Sequence, residues 1–212
     1  MAITEPFDKY SDEYEKWFKE NKYVYESELE AVRHFIPESK KGIEIGIGTG
    51  RFALPFGIKV GVEPSLMMRR FAVHKGLKVY ESTAEKLPFV DKSYDYALMV
   101  TTICFVDDVE KSFSEVRRIL KLEGSFIVGF VDRESPLGKL YEKMKELNHF
   151  YRYATFYAAD EVIKLLNTNK FTNVEIIQTV FGELSIIHKV QNFKEGYGEG
   201  GFVVINAVKE ND

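Results

Sequence analysis

Gly42-Ile43-Glu44-Ile45-Gly46-Ile47-Gly48-Thr49-Gly50-Arg51 is the stretch on which the fold turns. Its first half is a short apolar run suited to a buried strand. Its second half carries a glycine at every other position, at 46, 48 and 50. Glycine adopts positive φ freely and lets a ligand approach the backbone with no Cβ in the way. In open α/β sheets, nucleotide-like ligands bind where a strand's carboxyl end runs into such a turn. The dinucleotide fingerprint G-x-G-x-x-G would put its third glycine at the next position, where Arg51 stands. A helix is expected to follow the turn.

Outward from this stretch, short apolar runs alternate with helical patterns. Residues 59–63 form a second strand ending in Glu63, and Pro64-Ser65 opens a helix to about His74. Residues 77–81, 94–101 and 125–131 read as three more strands, with a helix over 109–120. This alternation predicts βαβ units and a parallel sheet covered on both faces. Residues 132–171 are helical and rich in aromatics, and 174–180 and 201–208 close the chain as an antiparallel pair. Upstream, helices are expected over 10–22 and 25–35. One domain is therefore expected, with a helical cap (1–36), a ligand-binding core (42–131), a lid (132–171) and a strand pair (172–212).

The 212 residues carry 29 basic and 33 acidic side chains, a net charge of −4 that gives nucleic acid no basic footprint. A single cysteine, Cys104, excludes a disulfide framework and a thiolate zinc site. His34, His74 and His188 have no partners at metal-ligand spacing, so no metal is expected. No apolar run approaches the ~20 residues of a membrane span, and residues 1–22 lack a signal-peptide core. No membrane insertion and a cytoplasmic location are the expectation.

Three clusters carry the candidate chemistry. The glycine turn is the first. Glu63, 17 positions after Gly46, is the second, because a carboxylate at a strand end can accept hydrogen bonds from both hydroxyls of a ribose. The third is Ser82-Thr83-Ala84-Glu85-Lys86-Leu87-Pro88-Phe89, a polar turn able to face a base edge.

Taken in order, E-I-G-I-G-T-G-R-F, V-G-V-E-P-S-L-M-M, A-E-K-L-P-F, S-Y-D-Y-A-L-M-V-T-T and E-V-R-R-I-L-K-L-E-G-S-F resemble the class I S-adenosylmethionine-dependent methyltransferases. The similarity is greatest to the small-molecule branch that includes quinone-biosynthesis enzymes. The resemblance implies an α/β, Rossmann-like, seven-stranded, mostly parallel sheet with its last strand antiparallel and helices on both faces. It implies S-adenosylmethionine as cofactor, with S-adenosylhomocysteine as product. Glu44, Gly46, Ile47, Gly48 and Gly50 would surround the methionine moiety, and Glu63 would hold the ribose. Pro64, Ser65 and Met68 would lie near the adenosine, Thr83, Ala84 and Glu85 at the adenine-side turn, and Thr101 beside the sulfonium.

Three departures from that pattern stand out. Thr83 stands where Asp or Asn is usual, and Leu122 and Ser125 replace the proline and second glycine of a Leu-Lys-Pro-Gly-Gly turn. The histidine often found after the fourth strand is absent, with Ile103, Cys104 and Phe105 there instead. No catalytic base is assigned.

A small-molecule acceptor is the expected partner. Tyr10, Tyr14 and Trp17, at i, i+4 and i+7, would share one helical face over the site. Phe105, His149, Tyr151, Arg152 and Tyr153 would suit a flat or anionic acceptor. Two other functions are compatible with these residues: a non-catalytic module that binds S-adenosylmethionine or S-adenosylhomocysteine, and an NAD-dependent oxidoreductase. The oligomeric state is open.

Overall fold

Along the central strands, side chains alternate between two apolar layers. In the computed structural model, which describes residues 3–210, Tyr96 and Leu98 of one strand pack to one side while Ala97 and Met99 pack to the other. A sheet buried on both faces requires this pattern. The eight strands are β1 (Gly42–Ile45), β2 (Val60–Val62), β3 (Lys78–Tyr80), β4 (Tyr94–Val100), β5 (Leu120–Val131), β6 (Phe171–Thr179), β7 (Lys194–Glu195) and β8 (Phe202–Lys209). Their order is β3-β2-β1-β4-β5-β8-β6-β7. The first five run parallel, and β8 lies antiparallel between β5 and β6. The sheet thus has one strand more than expected, the two-residue edge strand β7 on β6.

One face is covered by α5 (Val109–Ile119) and α7 (Ala159–Thr168), through Phe113, Val116, Ile119, Val162 and Leu166. The other is covered by α3 (Lys22–Arg33) and α4 (Leu66–His74), through Ala31, Val32 and Ala72. Asp108 caps α5 by accepting the Lys111 amide at 3.0 Å.

Two helical expectations fail. The segment 10–22 is not one helix: α1 (Glu5–Lys9) and α2 (Ser11–Glu20) meet at Tyr10, which lies outside both. Tyr10 therefore does not share a helical face with Tyr14 and Trp17. No α-helix follows the glycine turn either. Only a 3₁₀ turn, Leu54–Phe56, forms there, with Pro55 at its start and Gly57 in the left-handed conformation at its end. Both residues stop helix growth within one turn.

Beyond β5 comes α6 (Pro136–Met144), then two 3₁₀ turns, Lys145–Leu147 and Tyr151–Tyr153. This segment and the turn after β4 meet the N-terminal segment through aromatic rings. Tyr10 stacks on His149 at 4.2 Å, and Phe7 lies 5.0 Å from Phe105 and 5.4 Å from Phe150.

Candidate functional site

Strand order reverses at β1, whose neighbours β2 and β4 continue in opposite directions, so a crevice opens at the carboxyl ends. A cavity of about 610 Å³ occupies it, roofed by α1, α2 and the segment after β5. That volume lies within the ~300–1,000 Å³ of small-molecule sites.

The glycine turn is tied to β2 because Gly46 and Ile47 donate their amides to the Val62 carbonyl at 3.0 and 2.9 Å. All three glycines have positive φ, but they serve different ends. A Cβ on Gly46 would strike the Thr102 side chain at 2.3 Å, and one on Gly50 would strike Leu77 at the same distance. Only Gly48 faces open space, its nearest neighbour being the Tyr14 hydroxyl at 3.4 Å. Gly46 and Gly48 line the cavity, whereas Ile47 and Gly50 are turned into packing.

Glu63 is buried at the end of β2. Its two oxygens accept the Gly48 amide at 3.0 Å and the Ser65 amide at 2.9 Å. A carboxylate offers about four lone-pair sites, so two remain for hydroxyls in the cavity. Burial pushes its pKa up to about 7 against the pull of those amides. Glu44 is buried too, but away from the cavity. Burial raises its pKa well above the usual range, and Oε2 has no partner among the described residues.

Pro64, Met68, Thr83, Ala84 and Glu85 line the cavity wall on the Glu63 side. Ser65 does not. It caps α4 by accepting the Met68 amide and donates its hydroxyl to Asp8 of α1 at 2.7 Å. The Glu85 carboxylate accepts the Asp107 amide at 2.8 Å, so it serves the entry to α5. Thr101 lines the cavity with φ of 48°, an unusual conformation for a β-branched residue.

The predicted acceptor residues divide. Tyr14, Trp17, Phe105 and Tyr151 line the cavity. Tyr10, His149, Arg152 and Tyr153 do not: Tyr10 and His149 are stacked together outside it, and Arg152 lies over the exposed Tyr153 ring. Cys104 is buried, with its thiol pushed up to about 12 by desolvation, so it is a neutral packing group. No group of histidine, cysteine and carboxylates able to hold a metal occurs among the described residues.

Three residues had escaped notice. Asp8 anchors α1 on α4, as just described. Glu15 of α2 takes hydrogen bonds from Thr49 and from Arg51 Nη2 at 2.5 Å, and pairs with Lys75 at 3.2 Å, which fastens the N-terminal helices to the glycine turn. Glu28 of α3 is buried on the cavity wall. Each lies on a helix whose local pattern gives no sign of what it meets across the fold.

A parallel sheet with a bare glycine at its switch point and a carboxylate at the neighbouring strand end is a frame that suits a nucleoside-containing ligand. The methyltransferase-domain family matches residues 43–128. A methyltransferase of Thermotoga maritima, described as S-adenosylmethionine-dependent and as a possible histamine N-methyltransferase, superposes with a TM-score of 0.95 at 49% identity, covering 98% of this chain and 99% of that one. The uncharacterized protein MJ1123 of Methanocaldococcus jannaschii is 47% identical, covering 96% of this chain and 98% of its own. A ubiquinone/menaquinone biosynthesis C-methyltransferase of Rickettsia bellii is 28% identical over 62% of this chain and 48% of its own. The chain belongs to the S-adenosylmethionine-dependent methyltransferases.

Proposed function

We propose that this enzyme moves a methyl group from S-adenosylmethionine to a small molecule held beneath the N-terminal helices. The observation that carries it is the open face of Gly48 beside the buried Glu63 carboxylate, to which its amide donates, on the wall of one cavity. Glu63 would accept both ribose hydroxyls. Gly46 and Gly48 would pass the methionine moiety, and Met68 with the Thr83–Glu85 turn would flank the adenine.

When bound, S-adenosylmethionine supplies a methyl group already activated by its sulfonium. The chain then has to align the acceptor with that methyl group and keep water out. Tyr14, buried among Glu15, Glu44 and Glu63, keeps its phenol protonated and covers the glycine turn. Phe105, Tyr151 and Trp17 would shape the acceptor end. Because that methyl group is already activated, an aligned acceptor would take it by direct displacement.

The dinucleotide alternative loses its physical footing. A pyrophosphate is held by the amides and dipole at a helix N-terminus, and only a 3₁₀ turn follows these glycines. The test is calorimetric titration with S-adenosylhomocysteine and with NAD. Wild type should bind the first alone, and Glu63→Ala should weaken it by about 1.5–3 kcal/mol, roughly 10- to 150-fold. Binding of NAD, or unchanged affinity in the variant, would overturn this assignment. Methyl incorporation from labelled donor distinguishes an enzyme from a binding module.

A further inference from the structure

The acceptor end of the cavity holds a carboxylate with nothing to neutralise it. Glu28 is only 7% exposed, yet its side chain lines the cavity and has no hydrogen bond or ion pair among the described residues. The groups that feel its charge are phenols: Tyr25 on its own helix, Tyr141 of α6 and Tyr151. Glu63, at the nucleotide end, feels Arg69 and Asp8 instead. A buried, ionised carboxylate without a partner is costly, so such a group is either neutral or waiting for a cation.

The surroundings favour a cation. Tyr141 and Tyr151, which feel Glu28, present aromatic rings to the cavity that Trp17 and Phe18 also line, and such rings attract a desolvated ammonium. Among the described residues the one basic side chain on the cavity wall, Lys16, is already paired with Glu20 at 3.2 Å. Arg152 and His149, expected to receive an anion, lie outside. An anionic acceptor would meet carboxylates and no free positive charge.

We propose that the methyl acceptor is an amine bearing an N–H, and that Glu28 binds it as an ammonium and takes its proton. This assignment rests on methyl transfer at this site and names its substrate class. The ammonium gives one proton to the Glu28 carboxylate, which frees the nitrogen lone pair. That nitrogen bonds to the donor's methyl carbon while the carbon–sulfur bond breaks and its electron pair returns to sulfur. The product leaves as a methylated ammonium, and the Glu28 proton passes to water. One proton is released per turnover, and charge balances.

Wild type and Glu28→Gln are compared in two titrations. The first is S-adenosylhomocysteine alone, and both proteins should bind it equally. The second, with S-adenosylhomocysteine present, uses ethylamine, phenethylamine and histamine, with phenethyl alcohol and phenylacetate as uncharged and anionic controls. At least one amine should bind wild type more tightly than either control, and Glu28→Gln should weaken it about 10- to 150-fold. Four results overturn the proposal: weaker S-adenosylhomocysteine binding in Glu28→Gln, which would assign Glu28 to the donor's own ammonium; preference for phenylacetate; equal amine affinity in both proteins; or no amine bound by wild type. If wild type fails to bind S-adenosylhomocysteine at all, the methyltransferase assignment itself fails, a distinct outcome.

Discussion

Replacing Glu28 by glutamine should stabilise the ligand-free protein, increasingly so as pH rises above the ordinary glutamate value of 4.5. Desolvation is what raises the Glu28 pKa from the ordinary glutamate value of 4.5 to about 8. The native state therefore holds this proton more tightly than the unfolded chain. Below the unfolded pKa, wild type carries a neutral carboxyl much like the amide, and the two proteins should be equally stable. As pH rises, the unfolded chain ionises first, and wild type loses stability at ~1.4 kcal/mol per pH unit until the native group also ionises. Across the window from 4.5 to about 8 the deficit grows to about 5 kcal/mol. The neighbouring tyrosines Tyr25, Tyr141 and Tyr151 all have raised pKa values, so they stay neutral and do not mask it. Urea unfolding measures the difference directly. With a slope of ~2–3 kcal/mol/M, the midpoints should coincide near pH 4.5 and differ by about 2 M near pH 9. Equal midpoints at both values would show that Glu28 is hydrated in the fold, which would remove the reason it needs a cation.

Three further outcomes are expected. Glu63 must be ionised to accept two ribose hydroxyls, so S-adenosylhomocysteine affinity should fall as pH drops below about 7; calorimetry from acidic to alkaline pH checks this. Gly48→Ala should fold with a strain of about 1–2 kcal/mol and bind S-adenosylhomocysteine poorly, since its Cβ meets only Tyr14. Gly50→Ala should instead be the less stable of the two, because its Cβ would collide with Leu77 at 2.3 Å; thermal unfolding separates them. Glu15→Ala leaves Arg51 and Lys75 without their shared carboxylate and should cost about 2–3 kcal/mol, less than the loss of a fully buried pair. Hydrogen exchange of residues 11–20 should rise in that variant.

The central sheet was legible in the chain because its strands are buried on both faces and read as apolar runs, as in residues 94–100. The glycine turn and Glu63 were legible as cavity residues for a related reason: Gly46, Gly48 and Glu63 sit at strand ends, where position in sequence fixes position in the crevice. Helix boundaries fared worse. Pro55 and Gly57 forbade a helix after the glycine turn, yet the turn pattern alone suggested one. The acceptor wall was the least legible part. Tyr10 and His149 look like pocket residues by composition, but they satisfy each other by stacking 4.2 Å apart.

Local pattern, then, settled the α/β frame and the strand ends that carry the glycines and Glu63, because apolar runs and the turns that close them are read from neighbours a few residues apart, whereas the order of the strands, and with it the switch point at β1, came from their pairing. The charge balance of the cavity was settled elsewhere. Glu28 is an unremarkable residue on an amphipathic helix until α3 packs across the sheet and seals its carboxylate among Tyr141 and Tyr151. Desolvation depends on every atom that displaces water, and those atoms come from segments more than a hundred residues apart.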